Sequence, residues 1–595
     1  MNASQTALRR AAVSCSPARH QVLRQWARNS SSGAPRRRGG KLVGFGVIFG
    51  AAAATSYYYP QIKALFSETE VNEIVPKAEV EFEKPRKQAT SKEENRELLS
   101  SQHLQVEKSW EHPGVYLWGS NVGKVIDPNS NEKNVKLPRR FNFFDDQILR
   151  DLKLTQNFGA AVTEKGDLVQ WGLGFSQSDP LPKTTIKGKD IVKIDVSLDR
   201  IIALTRGGTV YSVSASKADQ DTTPKLEEKS SSWSLWTSMG SDLVRSRNLT
   251  PSSLGYGERI TDISSGLEHC LLLTSRGRVF SAASSTSEFP SHGQMGIQGL
   301  TWETRPKGSY DQPLEITALK GFKVEQIATG DRHSVVLDQL GRVFAFGDNL
   351  YGQLGFEAEL STPFVDMPSL LSTHKLYKGT GLTPKVSSVV AGGNNTFFTV
   401  DADAPAQERD SKNASPARRL PRTTTDLWSA GQGVYGSLGT GRWTHVSLEP
   451  TKVKALSSLF EFDETANKMK PIKLKALSVG ASHCAAVMDN VTETSLAQRA
   501  SANETYWGAD VVFWGGNEHY QIGNGKRNNQ NAPTYIGPLD GGAGDAEKGR
   551  KGERHRLCLT PRSTARIGEG GKGRKMTLEQ KVECGQFVTG VYSSV

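Results

Sequence analysis

Several things the chain lacks narrow its possibilities before any motif is considered. Five cysteines in 595 residues, one of them (Cys15) near the start, form no even, closely spaced framework for disulfides or metal ligands. No GxxxxGK[ST] occurs, and no GxGxxG lies between a strand pattern and a helix pattern, so nucleotide binding has no local support. The formal charge of +12 is also uneven. Residues 1–41 hold eight Arg, one Lys and no acid, so nine of those charges lie there and the other 554 residues carry only +3. A body so close to neutral gives no charge argument for DNA or RNA. A hydrophobic fraction of 36% and 58 glycines suit an all-β chain rich in turns.

The absence of acid at the start is informative in itself. Residues 1–38 carry Arg9, Arg10, Arg19, Arg24, Arg28 and Arg36 to Arg38 without Asp or Glu, and Val22, Leu23 and Trp26 share a helix face opposite the arginines. This is the composition of a mitochondrial transit peptide; the alternative is a disordered basic tail. Residues 42–59, LVGFGVIFGAAAATSYYY, are uncharged and free of proline. As a helix they span about 27 Å, enough for a bilayer core, with Tyr57 to Tyr59 at one interface. Gly46 and Gly50 form a GxxxG, a possible pairing face or ordinary membrane-helix composition. A secretory signal is disfavoured by the length of the apolar run and by the forty residues before it. Arg36 to Arg38 and Lys41 favour the matrix side, which places the long C-terminal part in the intermembrane space. Residues 60–112 read as a charged linker, helical near 93–99.

From residue 113 a single pattern recurs. Its fullest copy, residues 324–355, has short apolar runs at 324–328, 334–337 and 343–346, separated by glycine-bearing turns. Such a meander cannot bury both faces alone. Related stretches stand at 158–172, 191–213, 260–281, 386–400 continued by 427–439, and 472–488 continued by 512–523. Residues 115–121 hold only the last part of a unit and 582–592 only the first part. Two half-units at opposite ends suit a closed circular array without free edges, with six internal copies and one shared copy making seven.

The residues Val324, Ile327, Gly330, His333, Ser334, Leu337, Gly341, Val343, Phe344, Phe346, Gly347, Asn349, Gly352, Gln353, Leu354 and Gly355 resemble the repeat of the regulator of chromosome condensation family. The resemblance covers roughly residues 113–595. It implies an all-β, seven-bladed propeller with insertions at 215–257, 401–426, 490–510 and 540–575. Some members of that family are exchange factors for small GTPases, acting through a protruding hairpin, and others are scaffolds. The leader and apolar stretch are similar to fungal mitochondrial inner-membrane members, whose proposed role is assembly of respiratory-chain complexes, complex III in particular.

Nothing in the repeat calls for catalysis. His269, His333 and His483 occupy one repeat position in separate units, which makes them structural, as are Gly330, Gly347, Gly431 and Gly515. Cys270 and Cys484 stand where Ser334 does and replace a small hydroxyl by a small thiol. The expectation is a non-enzymatic protein without cofactor or metal. Function then falls to the surface. Within 540–575, Lys548, Arg550, Lys551, Arg554, Arg556, Lys572, Arg574 and Lys575 form a candidate partner-binding loop for acidic protein faces, lipid headgroups or RNA; the alternative is a solvated insertion without a partner. Trp233 and Trp236, in residues 230–240, are a second candidate. The partners expected are the inner mitochondrial membrane and protein, namely respiratory-complex subunits or other assembly factors. DNA is excluded. A matrix RNA- or ribosome-associated factor and a GTPase exchange factor remain the alternatives.

Overall fold

A computed structural model describes residues 101–222, 246–285, 289–301, 310–357, 363–405, 421–463, 468–490, 508–539 and 556–595. The leader (1–38), the apolar stretch (42–59), most of the charged linker, Trp233 and Trp236, and Lys548, Arg550, Lys551 and Arg554 lie outside the described residues. Among the described residues no helix is long and apolar enough to cross a membrane.

The repeat folds as its spacing predicts, into an all-β propeller. Val324–Thr329, His333–Asp338, Val343–Asp348 and Phe364–Leu370 pair in sequence order as an antiparallel meander. The tight turn at Gly341 works because Gly341 adopts a φ of +79°, while the Asp338 carboxylate accepts the N–H groups of Leu340 and Arg342. Among the described residues four sheets have this four-stranded form, and a fifth, built on Leu474–Val479, has five strands. The remaining large sheet has nine strands. In it Lys575–Cys584, Val588–Ser594, Val115–Ser120 and Asn134–Arg140 form one meander, and Leu149–Leu154 through Lys183–Ile186 form another. A single parallel pair, Leu149 with Ser594, joins them. The two ends of the propeller are zipped together there, Val115 opposite Tyr592 and Gly119 opposite Val588.

The first strands of successive meanders touch in turn: Leu149–Leu154, Ile191–Val196, Ile260–Ser265, Val324–Thr329, Thr383–Gly392, Leu474–Val479 and Lys575–Cys584, the last returning to the first. The apolar core lies between meanders rather than inside any one. Phe397 and Leu427 pack with Trp514 and Cys484 of the next sheet, and Leu271 and Val279 with Val336 and Phe346. This explains why an isolated copy has no reason to fold.

Two expectations are corrected. The end of the charged linker is not linker: Ser101–Glu111 is a helix (α1) and Pro113 follows its end, while the 93–99 stretch expected to be helical lies outside the described residues. Gln102, Val106 and Ser109, spaced by four and three residues, form its buried face. The second half of the 540–575 insertion is not a free loop either. It contains strands Cys558–Leu559 and Ser563–Arg566, the latter pairing with Lys575–Leu578 as a hairpin.

Candidate functional site

The repeat histidines are wholly buried, and each reaches across to the next sheet. His269 Nε2 lies 2.8 Å from Ser334 Oγ, His333 Nε2 2.8 Å from Thr396 Oγ1, and His483 Nε2 2.7 Å from Thr589 Oγ1. Each hydroxyl spends its own proton on a loop carbonyl: Ser334 donates to Gln294, Thr396 to Gln353 and Thr589 to Gln521. The hydroxyl oxygen therefore accepts from the ring, which assigns the neutral Nε2–H tautomer to all three histidines. Their Nδ1 atoms are buried without a hydrogen-bond partner. Burial drives all three imidazoles down from the usual 6.5 to about 3, His269 being lowered further by His333.

These contacts account for much of the motif. The carbonyls that receive the hydroxyls belong to the GQLG-type turns. Trp118 and Trp514 donate their indole N–H groups to the same class of carbonyl, Gln521 and Ser437. Gly330 must lack a side chain because a Cβ there would sit 2.1 Å from the His333 ring and 2.5 Å from the Gly393 carbonyl. Gly347, Gly431 and Gly515 take φ values of +112°, +120° and +103° at a bulge against the following strand, and a Cβ there would strike a carbonyl at the start of the preceding one. The thiols follow the same logic. Where a histidine precedes, the next sheet offers Ser or Thr. Cys484 follows a sheet with Asn395 at that place, and Cys270 follows one with Arg200. Both are buried free thiols, pushed up by burial, Cys270 to about 12, and so unreactive. Among the described residues no cluster of His, Cys, Asp and Glu is arranged to hold a metal.

The candidate basic loop divides in two. Arg556 is not at the surface: it is 6% exposed, ion-paired with the buried Asp510 at 2.8 Å and stacked over the Tyr535 ring at 4.7 Å. Burial opposes its charge, but Asp510, Cys558 and Tyr535 together hold it above its ordinary value. From the sequence alone Arg556 looked like one cation in a basic run, because its partner is 46 residues away. Arg574 is exposed but paired with Glu164. Arg562, Arg566, Lys572 and Lys575 are exposed along the hairpin, whose tip turns on Gly568, Gly570 and Gly571, all at positive φ. Helix α1 lies against this insertion. Gln105 bonds both Arg556 O and Cys558 N–H, Ser109 meets Thr560, and the Gly568 N–H donates to Trp110 O. The described insertion thus fixes the segment through which the chain enters the propeller.

The charged residues of the innermost strands escaped notice in the sequence. Lys153 lies 3.0 Å from Glu583 and 3.8 Å from Asp195, and Lys193 is 2.5 Å from Asp262. Asp151 accepts the Ile194 N–H and Asp195 the Ser265 N–H, so each carboxylate also ties its strand to the next. Burial pushes Glu583 up to about 7 against the opposing pull of Lys153. Burial also opposes the Lys153 charge, but Glu583, Asp195 and Asp151 together hold it above its ordinary value. The signal available was charge at the fifth place of the inner strand, Lys153, Asp195 and Glu583, where the regular copies have Ala328 and Val390.

Residues 324–353 match the Regulator of chromosome condensation (RCC1) repeat. Protein FMP25, mitochondrial, of Saccharomyces cerevisiae is 25% identical over 440 residues, covering 70% of this chain and 64% of that protein. The match thus spans just under two thirds of the yeast relative. RCC1 domain-containing protein RUG3, mitochondrial, of Arabidopsis thaliana is 22% identical over 374 residues, 62% of this chain and 71% of that protein. The solved structure of Kap60 bound to yeast RCC1 (Prp20) contains a chain 16% identical, with 86% of this chain and 95% of that one covered at a TM-score of 0.48.

Proposed function

We propose that this chain, which carries the regulator of chromosome condensation repeat and is similar to mitochondrial proteins that share it, is a non-enzymatic mitochondrial scaffold. In this reading the nine-stranded sheet is two blades joined by one bridge, and the propeller has seven blades, one of them shared by the N- and C-terminal strands. Residues 1–38 act as the import signal and 42–59 as a single inner-membrane anchor with the propeller in the intermembrane space. The anchor concentrates the propeller beside nascent respiratory-complex subunits, complex III first, so that weak contacts become effective.

The observation that carries the non-enzymatic part is the use of the motif's polar groups. The histidines, hydroxyls and indoles that could have formed a site are spent on bonds between blades. What remains for partners is the margin: the hairpin of Ser563–Arg566 and Lys575–Leu578, with Arg562, Arg566, Lys572 and Lys575 exposed. That basic hairpin also supports a second reading, a matrix factor bound to RNA. Protease treatment of mitoplasts separates the two. A digestible propeller supports the intermembrane-space scaffold, and a protected one favours the matrix reading. Native-gel separation of respiratory complexes from a deletion strain then tests the assembly role, which normal complex III would refute.

A further inference from the structure

A groove of about 440 Å³ runs along the side of the propeller, between the outer strand Asn134–Arg140 and the segment following Gln530–Thr534. Leu137 and Pro138 form one wall and Pro538, backed by the buried Ile536, the other, with Tyr535 and Lys526 beside them. Leu137 is 48% exposed, unusual for leucine in a strand. Asn134–Arg140 pairs with Val115–Ser120 and Gln530–Thr534 with Ala509–Gly515; beyond these ladders the Gly525 N–H donates to Lys136 O at 3.3 Å and the Gly441 N–H to Asn531 O at 2.8 Å. Each bordering strand also contains a proline, Pro138 or Pro533, which withholds an N–H and discourages addition of a further strand. A ligand here meets side chains rather than a backbone ladder.

The rim is of one sign. Residues 134–140 and 523–539 contain Lys136, Arg139, Arg140, Lys526 and Arg527 and no Asp or Glu. Arg139 is held by Asp127 and Glu132, and Arg140 by Asp145. The other three stand apart from such pairs. Lys136 lies over the Tyr520 ring at 5.7 Å, and Arg527 Nε donates to the Glu518 main-chain carbonyl at 2.6 Å. Tyr535 adds a hydroxyl that is buried without a hydrogen-bond partner.

We propose that this groove binds a short, extended acidic segment of a partner protein, with aliphatic or proline side chains between Leu137 and Pro538 and carboxylates at Lys136, Lys526 and Arg527. The two apolar walls favour a peptide over a flat anionic membrane surface, which would engage the cations but leave the walls empty. This site is separate from the basic hairpin and does not depend on how the protein is anchored.

The test uses the full-length protein in detergent. The probes are fluorescent short peptides alternating Glu with Val, Ile or Pro, the same peptides with Lys for Glu, and vesicles of phosphatidylcholine with and without an anionic phospholipid. The acidic peptides should bind, and Lys526→Glu and Leu137→Glu should each weaken binding about tenfold. Lys572→Glu, on the hairpin, should leave it unchanged. Both groove positions are exposed, and unchanged thermal unfolding of the variants verifies the fold. Equal binding of the lysine peptides, indifference to both groove variants, loss of peptide binding on Lys572→Glu, or binding to anionic vesicles alone would overturn the proposal.

Discussion

Two regions of this propeller join blade to blade by opposite means. In the regular copies a neutral, fully buried imidazole donates to a hydroxyl on the next sheet: His269 to Ser334, His333 to Thr396, His483 to Thr589. Around the closure the inner strands are linked by charge, with Lys153 among Asp151, Asp195 and Glu583. The regular copies have Gln326, Ala328, Ser388 and Val390 at the equivalent places. The first solution is uncharged and fully buried, so salt has little to screen. The second keeps 21% of Lys153 and 16% of Glu583 accessible, so its Coulomb energy is partly screened. The difference teaches that one fold can be held by chemistry whose response to pH has opposite sign in its two halves.

Acid is the largest lever on that contrast. A histidine held at about 3 in the folded protein and near 6.5 when unfolded binds its proton mainly in the unfolded state between those values. Its stabilising contribution is full above pH 6.5 and declines as pH falls towards 3. At pH 5.5 the three histidines together should cost about 4 kcal/mol relative to pH 7, read as a fall in the urea midpoint. Next in size is the loss of one latch. His333→Ala removes a buried ring and leaves Thr396 without its donor, and should destabilise by about 3 kcal/mol.

Glu583 should run the other way. Its folded value of about 7 lies above its unfolded one, so it takes up a proton on the folded side and stability rises as pH falls from 7 towards 4.5. Glu583→Gln removes that gain, and the acid loss between pH 7 and 5.5 should steepen by about 1–2 kcal/mol. A slope identical to that of the unmodified protein would mean that Glu583 is ionised throughout. The smallest effect belongs to the margin. Lys572→Ala with Lys575→Ala touches exposed cations and should change the urea midpoint by no more than about 0.5 kcal/mol in stability.

The sequence made the regular part of this architecture legible and the irregular part obscure, for physical reasons. Positional recurrence exposed the role of His269, His333 and His483, because a residue repeated in separate blades answers a need of the blade. The pairing of 115–121 with 582–592 was readable from two half-units. Arg556 was misread because its run of cations is local while Asp510 and Tyr535 reach it through the fold. Helix α1 was not legible because its buried face, Gln102, Val106 and Ser109, contains one apolar residue and two polar ones. The charged inner strands were hidden in the degenerate copies, where a lysine or aspartate looked like decay of the pattern. The groove at Leu137 joins segments nearly four hundred residues apart in the chain, and no local window contains it.

The central claim is that the motif's polar residues are latches between blades and not a site. A double-mutant cycle on His483 and Thr589, the latch that closes onto the C-terminal strand, tests it most directly. His483→Ala, Thr589→Ala and the pair would be compared by urea unfolding at pH 7. A coupling of about 1–2 kcal/mol is predicted, because each single change strands the other's hydrogen bond. Additivity within about 0.5 kcal/mol would contradict the account.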